Sequence, residues 1–391
     1  MPTNNSDQLR ATHANQVINA GGGADLMIWN PNTGNATFNG GNTNENYDSN
    51  PYMDRSGGDY LRVETSAALR VRFTTSEDGT VTQGNRVLKF TGIERIELGN
   101  GNDVLDATNA RILPAHNGTP MHGLTVYAGA GNDSVIGTSV DDIIDGGSGH
   151  DTIRAGGGND FVQSSTGNDL IYGDAGDDNI RWGQGNFQEN VGNDTIYGGA
   201  GHDMMNVWIK DGYGENGPGV TVNITAINGA GSFAGTSTTN IGGGTSSLRF
   251  FEMEQVWTHE GRDVIDGSKA SVVGGKGFHG NTRWGDDRLV GSNGNDTLEG
   301  GEGRDTITGG RGNDLISANG DFFNSRAPGD GDRDTLVFRT GHGSDTVLGF
   351  DTRVDVLDLG GRHYNVVEKS QGTLLTAGSD TILLAHIFDY I

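Results

Sequence analysis

Six aspartates stand nine residues apart between positions 128 and 181: Asp133, Asp142, Asp151, Asp160, Asp169 and Asp178. Two residues after each comes an aliphatic side chain, in turn Val135, Ile144, Ile153, Val162, Ile171 and Ile180. Aspartates in the same setting stand at Asp103, Asp194, Asp203, Asp263, Asp287, Asp296, Asp305 and Asp314. Carboxylates at a fixed pitch, set among backbone carbonyls, suit coordination of a hard cation such as calcium. Without that cation the stacked carboxylates repel one another, so folding and metal binding are expected to be coupled.

The elements that would position these groups follow from the rest of each block. Glycines near its start allow positive φ and a tight curl with carbonyls facing inward. The three residues after the aspartate make a short strand, the middle side chain inward and its neighbours outward. One such turn buries almost nothing, whereas stacked turns bury a column of Ile, Val and Leu. The blocks GGSGHDTIR, GGAGHDMMN, GGEGRDTIT and GGRGNDLIS resemble the GGxGxDxUx repeats of the RTX (repeat-in-toxin, haemolysin-type) calcium-binding family. The resemblance implies an all-β fold, a right-handed parallel β-roll or β-helix holding several Ca2+ ions. It also implies secretion through a type I apparatus from an uncleaved C-terminal signal. It is silent on activity, because such rolls accompany proteases, lipases, epimerases, lyases, toxins and adhesins.

Composition agrees with strands and turns. Gly is 68 of 391 residues, well above the usual share of roughly 7%. The net charge of −25 makes the chain a poor ligand for nucleic acid or anionic membrane. With Cys at 0 there is no disulfide framework or thiolate metal site. No apolar run approaches a transmembrane length, and the polar start MPTNNSDQLR lacks a signal-peptide core.

In order, residues 1–98 read as a strand-rich lead-in and cap, with VINAGGGADLMIW like a degenerate first turn and a polar loop carrying Tyr47, Asp48, Tyr52, Asp54, Asp59 and Tyr60. Residues 99–206 form the first repeat array, 207–262 an insertion with re-entry strands, 263–317 the second array, and 318–391 a C-terminal cap with the expected secretion signal at ILLAHIFDYI. The phrases FTGIERIELGNGNDVLDAT and RFFEMEQVWTHEGRDVIDGS are similar, which suggests two consecutive arrays.

Function, if grafted on this scaffold, should sit on outward positions and insertions. With two blocks per turn, the ninth positions on one sheet read Ile136, Arg154, Tyr172 and Tyr197; on the other they read Asp145, Gln163, Arg181 and Asn206. The second array has the bland set Val290, Glu299, Thr308 and Ser317. Arg154, Tyr172, Tyr197, His202 and Arg181 are therefore the candidate catalytic residues, and Gln163, Trp182, Trp208, Lys210 and Tyr213 the candidate substrate contacts. Such a surface suits an acidic polysaccharide, with aromatics on sugar faces and cations on carboxylates. It also suits β-elimination on a uronate such as alginate, which needs carboxylate neutralisation, a base and an acid. C5 epimerisation uses the same groups, and a non-catalytic adhesin, surface-layer or matrix protein is the rival. Outward Tyr and Arg also simply stiffen sheets, loop residues His116 and His122 can be incidental, and Trp257 and His259 can serve packing. HExxH, GxSxG and P-loop motifs are absent.

Overall fold

One buried aliphatic per block, worth about 1.5–3 kcal/mol, does not match a backbone ordering cost of about 1–2 kcal/mol per residue. Neighbouring coils must therefore satisfy one another. In a computed structural model the described residues are 6–41, 58–113, 123–183, 191–208, 217–239, 245–319 and 331–388. Their regular elements are short strands, one 3-10 turn at Pro31–Thr33 apart. The chain divides into two compact units, one of residues 1–181 and 191–203, the other of residues 182–190 and 204–391.

The first unit is a parallel β-roll. On one sheet Thr125–Tyr127, Ile143–Asp145, Phe161–Gln163 and Asn179–Trp182 pair in parallel, two blocks apart. On the other, Val104–Asp106, Ser134–Ile136, Thr152–Gly157, Leu170–Ala175 and Asn193–Ala200 do the same. Side chains at the eighth position close the core: Val135, Ile144, Ile153, Val162, Ile171, Ile180 and Ile196 are all at most 1% exposed. The seven-residue interruption after Asp178 leaves the alternation intact, because Tyr197 pairs with Tyr172.

The parallel ladder starts well before the repeats. Gln8–Arg10, Leu26–Trp29, Tyr60–Val63 and Arg95–Glu97 stack in register and lead into Thr125–Tyr127. The alternating stretch 61–98 supplies, besides those coil strands, an antiparallel excursion of Arg70–Phe73, Gly79–Gln83 and Arg86–Thr91.

The second unit repeats the plan. Gln255–Trp257, Lys276–Asn281, Asn295–Glu299, Leu315–Ser317 and Ser344–Leu348 form one parallel row. Val264–Asp266, Arg288–Val290, Thr306–Thr308, Thr335–Val337 and Val356–Asp358 form the other. An antiparallel excursion of Thr221–Ile227, Phe233–Thr239 and Ser246–Met253 precedes them. Asp380–Ala385, within the apolar C-terminal stretch, adds to Ser344–Leu348 in parallel as a capping strand. Among the described residues no helix is long and apolar enough to cross a membrane.

Candidate metal centres and outward faces

The sixth-position aspartates are buried and form hydrogen-bonded columns. The backbone N–H of Asp103 donates to Asp133 Oδ1 at 2.6 Å, Asp133 to Asp151 at 2.8 Å, Asp151 to Asp169 at 2.8 Å and Asp169 to Asp194 at 2.6 Å. A second column runs from Asp142 to Asp160, Asp178 and Asp203 at 2.7, 2.8 and 2.9 Å. The second unit holds the series Asp263, Asp287 and Asp305 at 2.7 and 2.9 Å, and the pair Asp296 and Asp314 at 2.9 Å.

One oxygen of each carboxylate thus caps the preceding coil. The other is the informative one. Oδ2 of Asp103, Asp133, Asp151, Asp160, Asp169, Asp178, Asp287 and Asp314 is buried and accepts no hydrogen bond. A buried anionic oxygen without a partner is costly. Glycine at the block's first position leaves room in front of it. A Cβ on Gly173 would lie 2.3 Å from Asp178 Oδ2 and 2.4 Å from the Gly198 carbonyl oxygen, so carboxylate and carbonyl oxygens converge there. Gly309 stands likewise 2.3 Å from Asp314 Oδ2 by the same measure.

Burial pushes these carboxyls up, Asp133 and Asp151 to about 7, Asp169 and Asp314 to about 8 and Asp160 to about 9. A divalent cation between them would reverse that, since it favours the ionised form. Among the described residues no three His, Cys, Asp or Glu side chains cluster as a metal site. The donor set is instead an aspartate oxygen facing a backbone carbonyl, all-oxygen donors that fit calcium and not zinc.

Two of the candidate ligands differ. Asp142 Oδ2 accepts the Thr138 N–H at 2.6 Å and its Oγ1–H at 3.1 Å. Asp296 Oδ2 accepts the Ser292 N–H at 2.6 Å and its Oγ–H at 3.1 Å. Thr138 and Ser292 occupy the second position, where GG blocks have glycine. These local turns satisfy the carboxylate from within the chain. Burial raises Asp296 only to about 6. At Asp142 and Asp296 Oδ2 thus already accepts from the chain, although a backbone carbonyl, of Ala155 or Gly309, still converges on the same place.

The columns also contain acids that the repeat pattern did not single out as ligands. The Asp25 N–H donates to Asp59 Oδ1 at 2.8 Å, and the Asp59 N–H to Glu94 Oε2 at 2.6 Å. Asp305 donates to Asp334 at 2.8 Å, Asp314 to Asp345 at 2.9 Å and Asp334 to Asp355 at 3.0 Å. Their signal was an acid two residues before an aliphatic, as in Asp25 and Met27, Asp59 and Leu61, Glu94 and Ile96, or Asp345 and Val347. At the far end His342 Nδ1 lies 2.5 Å from Asp345 Oδ2.

The fifth position carries a second ladder running the other way. Asn132 Oδ1 accepts the His150 N–H at 2.8 Å, His150 Nδ1 the Asn168 N–H at 2.9 Å, and Asp177 Oδ1 the His202 N–H at 2.8 Å. His202 is exposed there, and its N–H is the donor in that ladder. It belongs to a turn and not to the outward row of Tyr172 and Tyr197.

On the outward face Arg154, Tyr172 and Tyr197 do come together. The two tyrosine rings stack at 5.0 Å and 7°, and the Arg154 guanidinium lies 4.7 Å over Tyr172. Asp174 holds Arg154 through two contacts of 3.1 and 2.5 Å. Asp174 stands at a second position with φ 73°, where glycine is usual, and Ser165 does the same at φ 67°. Ser165 Oγ donates to Asp145 Oδ1 at 2.9 Å, so both strained residues reach over the sheet face.

Arg181 and Gln163 lie on the other sheet, Gln163 Oε1 accepting from Arg181 at 3.2 Å and Arg181 packing 4.9 Å over Phe161. They cannot share one centre with Tyr172, because the buried Ile and Val column separates the sheets. Trp182, expected to contact substrate, is 0% exposed and is a core residue. Trp208 is half-buried with its ring 3.5 Å from that of His259. Lys210, Tyr213, His116, His122, Tyr47, Asp48, Tyr52 and Asp54 lie outside the described residues.

The family model for the RTX calcium-binding nonapeptide repeat matches four times, over residues 127–162, 155–186, 190–207 and 282–316. No curated protein matches the chain. Solved structures that are similar include the extracellular lipase LipA from Serratia marcescens, at 15% identity and a TM-score of 0.20. That match covers 74% of this chain and 44% of the lipase chain, so this chain spans less than half the length of that relative.

Proposed function

From the premise that this chain carries RTX calcium-binding nonapeptide repeats and binds Ca2+ at several of them, we propose that it is a secreted protein whose rolls are assembled by calcium outside the cell and whose outward faces engage an acidic polysaccharide. The column of buried Oδ2 atoms without hydrogen-bond partners carries this reading. When bound, the cation supplies the positive charge that such oxygens need. The chain's own residues do the rest: Asp Oδ1 atoms fix the coil register, and the glycine turns offer carbonyls. At low intracellular calcium the carboxylates oppose folding, which keeps the chain passable to a type I secretion apparatus. At the millimolar calcium typical of extracellular modules the rolls close.

The sharper form of this reading is β-elimination on a uronate polymer. Stacked Tyr172 and Tyr197 beside Arg154 support it, since a phenol can serve as base or acid. The Asp174 carboxylate on Arg154 counts against it, because a uronate would have to displace that partner. Two measurements on the calcium-loaded protein test both levels. Equilibrium binding to oligouronates, weakened in Tyr172→Ala, is the expected result; wild-type protein that binds none overturns the polysaccharide reading. A rise in absorbance near ~235 nm, the signature of an unsaturated elimination product, is required of a lyase. Binding without that rise leaves a non-catalytic adhesin or matrix protein.

A further inference from the structure

The second unit looked plain by its ninth positions, yet one of its blocks breaks the repeat in an informative way. Residues 282–290 read TRWGDDRLV, so Arg283 and Trp284 replace the second glycine and the third residue. Arg283 keeps the left-handed backbone of a glycine there, φ 66°, whereas Gly301 and Gly310 at the same position have φ 105° and 102°. A long side chain in that region costs of order 1–3 kcal/mol and persists where the surroundings enforce it. The surroundings are aromatic. The Arg283 guanidinium lies 5.2 Å from the Trp257 ring centre and 4.6 Å from that of Trp284.

Both indoles and Arg283 are partly buried, each keeping a minor exposed share. Trp257 aligns with Asn281 and Glu299 across neighbouring strands, giving a polar row beside the indoles. In that row Glu299 accepts from Asn281 Nδ2 at 2.9 Å and lies 2.5 Å from His279 Nε2.

We propose that Trp257, Arg283 and Trp284 form a binding site for a saccharide bearing a carboxylate. An indole presents an apolar face to a sugar ring, and a planar guanidinium matches a carboxylate. A cation is also the complement of an anionic ligand on a chain of net charge −25. The proposal rests on the polysaccharide reading above but places a second contact surface in the other unit, independent of Tyr172.

The test is tryptophan fluorescence of the full chain at fixed calcium, titrated with short oligogalacturonate and oligomannuronate, with cello-oligosaccharide as the neutral control. Trp29 and Trp182 are 0% exposed, so the response reports the partly exposed indoles. Arg283→Gly restores the residue usual at this position and should leave the calcium-induced circular dichroism intact. It should weaken oligouronate binding at the indoles by about ten-fold or more, as loss of a cation from an aromatic platform and a carboxylate partner implies. Arg283→Gln, which keeps the side chain's bulk, should behave alike. Tyr172→Ala should leave this fluorescence response unchanged, which separates failure of this site from failure of the ladder. Wild-type affinity in both Arg283 variants, equal response to the neutral sugar, or no response to any sugar would each overturn the site.

Discussion

Asp142 and Asp151 stand in consecutive blocks and look interchangeable in sequence, yet the chain treats them differently. Each lends Oδ1 to a backbone N–H of the preceding coil, Leu124 for Asp142 and Asp133 for Asp151. Asp142 Oδ2 is then closed off by Thr138, while Asp151 Oδ2 is buried without a hydrogen-bond partner. The same contrast recurs in the second unit between Asp296, closed by Ser292, and Asp314. The sixth-position aspartate therefore builds the coil everywhere. Where the residue four positions earlier is a Thr or Ser that turns back on the carboxylate, as Thr138 and Ser292 do, the chain itself satisfies Oδ2; Ser165 reaches Asp145 instead, and Asp169 Oδ2 stays without a partner.

The largest effect that could break this comparison is calcium removal. Chelation should abolish the β-sheet circular dichroism of both units, and sheet signal that survives metal-free at neutral pH would sink it. Single substitutions sharpen it. Asp151→Asn should lose a cation, so its destabilisation should grow with calcium, reaching about 2.7 kcal/mol at a hundred-fold excess over the dissociation constant. Asp142→Asn puts an amide against the Thr138 N–H, a cost of about 1–3 kcal/mol that should not vary with calcium. Denaturation series at several calcium concentrations distinguish the two, and identical calcium slopes would remove the distinction. Thr138→Gly should raise the bound calcium stoichiometry by one, read by equilibrium dialysis.

The pH dependence follows with its own sign. Burial raises the folded-state carboxyls above the unfolded value of about 3.9, to about 6 for Asp178, about 7 for Asp151 and about 9 for Asp160. Groups raised in this way contribute stability that is full below the unfolded value and lost as pH rises through the folded one. Metal-free protein should thus gain sheet signal on acidification from pH 9 toward 5, a window set by Asp160 and Asp178. With calcium the trend reverses, because binding expels those protons. A metal-free signal that rises with pH would contradict the burial of these side chains.

The strands, the inward aliphatic column and the pairing of alternate blocks were legible because period and side-chain type carry them directly. Of the N-terminal coils only the first turn around Asp25 was legible, since Asp59 and Glu94 keep the acid and its following aliphatic but lie at irregular intervals. Sequence spacing could not show that Arg154 is engaged by Asp174, twenty residues on, because the two meet only when coils stack. Trp182 was misjudged for a related reason. It reads as a substrate contact in sequence, yet its side chain is fully buried. The second position carries a weaker signal. A glycine pattern shows where positive φ is wanted, but not which side chain will accept that strain to reach the sheet face, as Ser165, Asp174 and Arg283 do.

The smallest effect isolates that strain. Asp174 pairs with exposed Arg154, and an exposed ion pair is worth about 0–1 kcal/mol. Asp174→Gly forfeits the pair but relieves φ 73°, so the two changes nearly cancel. Asp174→Ala forfeits the pair and keeps the strain, and should be less stable than the glycine variant by about 1 kcal/mol. Urea denaturation in saturating calcium resolves that difference. Equal stabilities would mean that the left-handed backbone here costs nothing, and the inference drawn from Arg283 would lose the premise that its placement is enforced.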